Sequence, residues 1–286
     1  MKKLIDLGSW CLAAKGEAVA PRSQASTTPH RQYDIPHDNT TTTPPRTKKP
    51  IAIRIPIALA LTFITFTLGF TMSGSSAVPS LLALASPPTD AETLTLFTPP
   101  SSSTAEIEKR ILSHPLTQSL LSNPHYTASR PHLKIPPQLR AQNLTAGTLV
   151  GEDKIAVPPL QFTTADGSSY LSLQYLGPAL CGHPGIVHGG LLATLLDEGL
   201  ARCCFPALPN KVAVTASLNV VYKKPVEAGQ VVVLRAETVR VEGRKAWVRG
   251  WVETLGEGEE RGTVLTEAEA LFIEPRQAAH MKRVVS

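Results

Sequence analysis

The chain has 286 residues, 18% charged and 42% hydrophobic, with a formal net charge of +5. Nine Lys or Arg and four Asp or Glu lie between Met1 and Arg54, and the remainder carries nineteen of each. The positive excess therefore belongs to the N-terminal tail. That excludes nucleic-acid binding by the folded part, because phosphate recognition needs a basic field on the domain that binds. The four cysteines (Cys11, Cys181, Cys203 and Cys204) make no disulfide framework and read as reduced thiols of an intracellular compartment.

Residues 1–50 are rich in Thr, Pro, Ser and basic residues and cannot bury enough apolar surface to fold. A disordered basic tail is expected, either a transit peptide or a plain tail. Asp6, Glu17, Asp34 and Asp38 count against the former. No charged residue occurs between Arg54 and Asp90, and the run from Ile55 to Met72 is almost wholly apolar. About 20 helical residues cross a hydrocarbon core of roughly 30 Å, so residues 51–74 are expected to form one transmembrane helix. Arg46, Lys48, Lys49 and Arg54 place its N-terminal side in the compartment of synthesis or import. Residues 75–103 read as a Ser/Pro linker. In 104–145, Ile107, Ile111, Leu112, Leu116 and Leu120 repeat at helical spacing with a break at Pro115, and a proline-rich extended connector follows.

Residues 146–276 form the folded domain, and 277–286 a short tail. Strands are expected at 157–163 and 169–176, one apolar helix at 188–205, then four strands at 212–222, 230–241, 245–254 and 262–273. Turn residues such as Lys224-Pro225 and Glu242-Gly243 separate the last four. One long helix among strands, without βαβ alternation, predicts an α+β domain: an antiparallel sheet wrapped around a central helix.

The chemistry concentrates where that helix starts, at Pro184-Gly185-Ile186-Val187-His188-Gly189-Gly190, with Asp197 further along. Glycines let backbone approach a ligand, and free amides at a helix start attract the negative charge that develops in acyl transfer. An Asp among leucines either faces a polar cavity or costs stability. Each signal alone is weak, since a helical Asp usually faces water and Gly-Gly often only turns the chain. Their combination in a β-rich context is stronger. Asp197 lies eight residues past Gly189, about 12 Å along a helix, whereas reacting atoms must approach within roughly 3–3.5 Å. The simplest solution is a dimer in which Asp197 of one chain meets His188 and Gly189 of the other.

Gly182 to Ile273 resembles the phenylacetyl-CoA thioesterase-like group of hotdog-fold thioesterases, and within it the mitochondrial acyl-CoA thioesterase branch. The resemblance rests on P-G-x-V-H-G-G, the Asp nine residues after the His, the run from Thr215 to Pro225, the turn from Val241 to Lys245 and the final strand Glu269-Ala270-Leu271-Phe272-Ile273. It implies hydrolysis of acyl-CoA to fatty acid and coenzyme A by a homodimer or dimer of dimers. Asp197 would serve as base or nucleophile, the Gly189 amide as oxyanion hole, His188 to orient the thioester or loop, and Thr215 to position water. Gly190, Asn219 and Gly243, inside the matching motifs, count as substrate-contacting positions. Lys223, Lys224, Arg244 and Lys245 either hold coenzyme A phosphates or are ordinary solvated turns. Some branches carry Asn or Gln six residues before the His; here that position is Gly182, with His183 beside it. No cofactor or metal is expected, because Cys181, His183 and His188 lack a fourth ligand. The protein is expected to be membrane-anchored and mitochondrial. Two alternatives differ in class: a non-catalytic acyl-CoA-binding or interaction module on a membrane anchor, which Asp197 and Thr215 disfavour, and a hotdog hydratase or dehydratase, which the His-Gly-Gly helix start disfavours.

Overall fold

A computed structural model describes residues 51–258 and 260–280. The basic tail at 1–50 with Cys11, and the last residues of the C-terminal tail, lie outside the described residues.

Helix α1 spans Ile51–Ala85. Within it Ile55–Ser73 has a mean hydropathy of 1.9, none of it buried. Its threonines spend their hydroxyls on the helix's own carbonyls: Thr65 on Leu61, Thr67 on Phe63 and Thr71 on Thr67. The exterior of this stretch is left apolar.

The stretch read as a linker carries structure. Short helix α2 (Asp90–Thr93) starts with a capping box between Thr89 and Glu92. Helix α3 (Ser102–Ser113) is capped by Ser101, and α4 (Pro115–Ser122) begins at the expected proline break, capped by the His114 ring. The connector then forms strand β1 (Tyr126–Ser129), a 3-10 turn at Pro131–Lys134, helix α5 (Pro137–Arg140) and a π-helical turn at Leu144–Thr148. β1 escaped the sequence reading because four residues carry too little alternation to register.

Strands β2 (Leu160–Thr164) and β3 (Ser169–Leu176) follow, then the small ribbon β4 (Cys181–His183) with β5 (Ile186–Val187). Helix α6 (Gly189–Cys204) comes next, and then β6 (Val214–Tyr222), β7 (Gln230–Glu242), β8 (Lys245–Thr254) and β9 (Val264–Ile273). The main sheet runs β1-β2-β3-β7-β8-β9-β6, every neighbouring pair antiparallel. It wraps α6 in the expected hotdog arrangement.

The core has two layers. Leu192, Leu196 and Leu200 of α6 pack on Val232, Leu234, Val248 and Phe272. On the other face Ile111 and Leu120 of α3 and α4 cover Leu171, Leu173, Val231 and Val233. A strand buried on both faces loses its polar alternation, which explains the uninterrupted Val231-Val232-Val233-Leu234. Helix and sheet approach closely. A Cβ on Gly250 would sit 2.5 Å from Leu200 Cδ1 and 2.6 Å from the Arg235 carbonyl oxygen. Burial pushes the thiol of Cys203 up to about 11 and that of Cys204 to about 12, so both stay protonated.

Arg130 ties the outer layer together. Only 1% exposed, it grips Glu108 of α3 with two hydrogen bonds of 2.7 and 2.8 Å. Its backbone amide donates to Thr93 Oγ1 at 2.9 Å, and its guanidinium donates to the Pro158 carbonyl. Glu108→Ala would leave a buried, uncompensated cation, an effect of about 3–5 kcal/mol. Urea unfolding of the domain should register that loss, and a variant as stable as the parent would refute the role.

His132 is 5% exposed, and its Nδ1 has no hydrogen-bond partner among the described residues. Burial, foremost, and then Arg202 and Arg140 push its pKa down to about 3 from the ordinary 6.5. The unfolded chain therefore binds this proton more readily between those values. Stability conferred by the neutral ring is fully present above about pH 6.5 and is lost as pH falls toward 3. Replacing His132 with Leu should flatten the acid side of a stability–pH curve; an unchanged slope would rule the histidine out as its source.

Candidate active site

Helix α6 and edge strand β6 run side by side, clasped at both ends. At one end Asp197 Oδ1 accepts a hydrogen bond of 2.7 Å from Thr215 Oγ1. At the other Tyr222 Oη donates to the Gly189 carbonyl at 2.8 Å. Thr215 is the second residue of β6 and Tyr222 the last, so the strand runs opposite to the helix.

The helix start is shaped by His188. It is the N-cap residue, and its Nδ1 accepts from the Gly190 amide at 2.9 Å. The Gly189 amide donates to no group among the described residues. It is one of the orphan donors that every helix start leaves. Gly182 lies against the histidine: a Cβ there would stand 2.9 Å from His188 Cδ2. Side chains longer than glycine are therefore crowded at this position, and the ring occupies the room an Asn or Gln would need.

Asp197 is half-buried, and its Oδ2 makes no hydrogen bond among the described residues. Asp197 and Thr215 share the wall of a cavity of about 820 Å³ with Glu198, Arg202, Lys134 and Lys211. Glu198 accepts the Thr145 hydroxyl at 2.9 and 3.1 Å, which docks the π-helical turn onto α6. Burial, foremost, lifts the Glu198 carboxyl above the usual carboxylate range; the Thr145 hydrogen bond and Arg202 oppose this, and Asp197 adds to it.

The expected substrate-binding residues separate into groups. Gly190 sits at the helix start. Asn219 lines a different groove of about 600 Å³ with Arg249, Trp251 and Glu267. Lys223 is paired with Glu267 at 2.9 Å beside Lys224, just past the Tyr222 end of β6. Gly243, Arg244 and Lys245 lie at the β7–β8 turn, where Lys245 and Val214 both register with Ile273. That is the Thr215 end, so one chain does not bring the four cations together. The turn itself depends on Gly243, held at φ 56°. Arg244 donates to the Glu274 carbonyl at 2.7 Å.

Two contacts escaped the sequence reading. Tyr222 stood inside the Thr215–Pro225 run, but nothing in that run pointed its phenol at Gly189. Thr145 lay in the assumed connector. No group of three or more His, Cys, Asp or Glu suited to a metal occurs among the described residues.

The thioesterase superfamily profile matches residues 184–260, which span the helix start, Asp197 and Thr215. A Candida albicans protein described as "Uncharacterized protein, mitochondrial" is 33% identical over 153 residues, covering 53% of this chain and 67% of that protein. The chain belongs to the thioesterase superfamily. A Schizosaccharomyces pombe protein described as "Uncharacterized protein C26H8.11c" is 32% identical over 170 residues, covering 59% of this chain and 93% of that protein. Mouse acyl-coenzyme A thioesterase THEM4 is 42% identical over 103 residues, 36% of this chain and 42% of that protein.

Proposed function

We propose that the protein hydrolyses acyl-CoA thioesters in a homodimer whose two sites are each built from both chains. The observation that carries this reading is the clasp of Asp197 by Thr215 beside a cavity, while the unused Gly189 amide lies at the far end of the same strand. With Thr215 on Oδ1, Asp197 Oδ2 is available to take a proton from water or to attack the thioester carbonyl directly. The Gly189 amide would hold the resulting oxyanion, and His188 would fix the loop that presents it. As the carbonyl re-forms, the coenzyme A sulfur leaves and takes the proton that Asp197 removed from water; on direct attack it leaves as the thiolate, and water then cleaves the acyl–aspartyl anhydride to release the fatty acid.

Topology supports the dimer. β6 is an edge strand with Val214, Val221 and Tyr222 exposed. A long apolar edge invites a second strand. Antiparallel pairing of two β6 strands about a two-fold axis would bring the Asp197–Thr215 end of one to the Gly189–Tyr222 end of the other. It would also bring Lys223 and Lys224 near Gly243, Arg244 and Lys245 of the partner subunit, and so gather a phosphate-binding set. The apolar stretch Ile55–Ser73 would anchor the protein in a membrane. The basic tail and the Candida relative favour a mitochondrial one.

Hydrolysis of an acyl-CoA panel, followed with a thiol reagent, tests the activity. Residues 87–286 suit this assay better than a cut at 104, which would remove buried Thr93 and its bond to Arg130. Binding of acyl-CoA without thiol release would favour the non-catalytic module. Extraction of the full chain by alkaline carbonate would overturn the anchor.

A further inference from the structure

The wall of the cavity beside Asp197 carries three cations, Lys134, Arg202 and Lys211, and three acids, Asp90, Asp197 and Glu198. Lys134, on its wall, reaches Asp90 at 3.0 Å. Arg202 is half-buried, yet its guanidinium makes no side-chain hydrogen bond or ion pair among the described residues. Glu198, one turn before it, is the adjacent acid and feels its charge, while the Glu198 carboxyl oxygens accept from Thr145. The N–H donors of Arg202 are therefore left to an acceptor that enters the cavity. Lys211, also on the wall, is the one non-glycine residue among those described with a positive φ, 53°. A side-chain-bearing residue held in that region stores backbone strain, which tends to collect at ligand sites. The wall also includes the hydroxyl of Thr127 and the amide of Gln161, set among apolar groups of Ala201, Phe205, Ala213 and Val214.

We propose that Arg202, with Lys211, receives a carboxylate at the distal end of the acyl group, so that the preferred substrates are short dicarboxylyl-CoA thioesters. This rests on the thioesterase reading above. Length separates the acyl end from the coenzyme A end. Arg202 lies five residues beyond Asp197 on α6, about 7.5 Å along the axis. An extended chain advances roughly 1.2 Å per bond, so about six bonds link a carbonyl at Asp197 to a carboxylate at Arg202. The first phosphate of coenzyme A is roughly thirteen bonds from its sulfur, about 16 Å when extended, and overshoots. The guanidinium fork suits a carboxylate held by two parallel hydrogen bonds.

The test compares adipyl-CoA with hexanoyl-CoA, equal in carbon number, using the full chain in detergent. The expected kcat/KM for adipyl-CoA is at least about tenfold higher, the fold-change of one charge-assisted hydrogen bond. Arg202→Met should lower the adipyl-to-hexanoyl ratio by about 10- to 100-fold, and Arg202→Lys should lower it less. Should the Arg202 variants fail to fold, the wild-type ratio and its reduction in Lys211→Met decide the matter. A wild-type ratio at or below one, or a ratio unmoved in folded Arg202→Met, overturns the proposal while hexanoyl-CoA turnover leaves the thioesterase reading standing. Turnover of neither substrate, nor of any acyl-CoA, overturns both.

Discussion

Asp197→Asn should lower acyl-CoA turnover by at least about 100-fold, the low end for a lost acid–base group, with the fold unchanged. The substitution is nearly isosteric. Asn Oδ1 still accepts the hydroxyl of Thr215, which stands 2.7 Å from Asp197 Oδ1. What disappears is the oxygen that takes a proton or attacks the carbonyl. Because α6 packs through Leu192, Leu196 and Leu200, its position does not depend on the carboxylate. The decisive measurements are kcat on one acyl-CoA and a thermal unfolding curve. Near-parental turnover by a folded variant would remove Asp197 from the chemistry.

Mixing two inactive variants should restore activity, and the size of the recovery reports how the site is divided. One partner carries Asp197→Asn; the other carries Gly189→Val. A Cβ at Gly189 stands 3.4 Å from the Tyr222 ring, so a branched side chain crowds both the free amide and the clasp. After unfolding and random reassembly of a two-fold dimer, about half of the dimers are mixed. In each, one site holds both defects and the other joins an intact Asp197 to an intact Gly189. Recovery of roughly a quarter of parental activity per chain is the expected result. If dimers form, by mass, and no activity returns, each site lies within a single chain.

The physical reason for expecting division is distance. Eight helical residues separate Gly189 from Asp197, and β6 repeats that separation by touching one end through Thr215 and the other through Tyr222. Both contacts leave the two groups at opposite ends of the clasp.

Much of the domain was legible from local pattern. β3 and β8 coincide with the alternating runs at 169–176 and 245–254, and α6 with the apolar helix opened by two glycines. Local sequence encodes these elements because side-chain periodicity and turn residues act within a few positions. The superfamily was legible too, since its motifs are short and lie in order along the chain. The outer layer was not. Val231 and Val233 are buried by Ile111 and Leu120, more than a hundred positions away, and no periodicity in either segment names the other. The same holds for Glu108 beneath Arg130, for Thr145 on Glu198 and for Tyr222 on Gly189. Composition could count the cations, yet the sorting of Lys223 and Lys245 to opposite ends of β6, and the seating of Arg202 beside the Asp197 cavity, follow from strand order and helix packing. Such contacts form when the chain closes long loops, so they are properties of the packed fold and not of any stretch of sequence read alone.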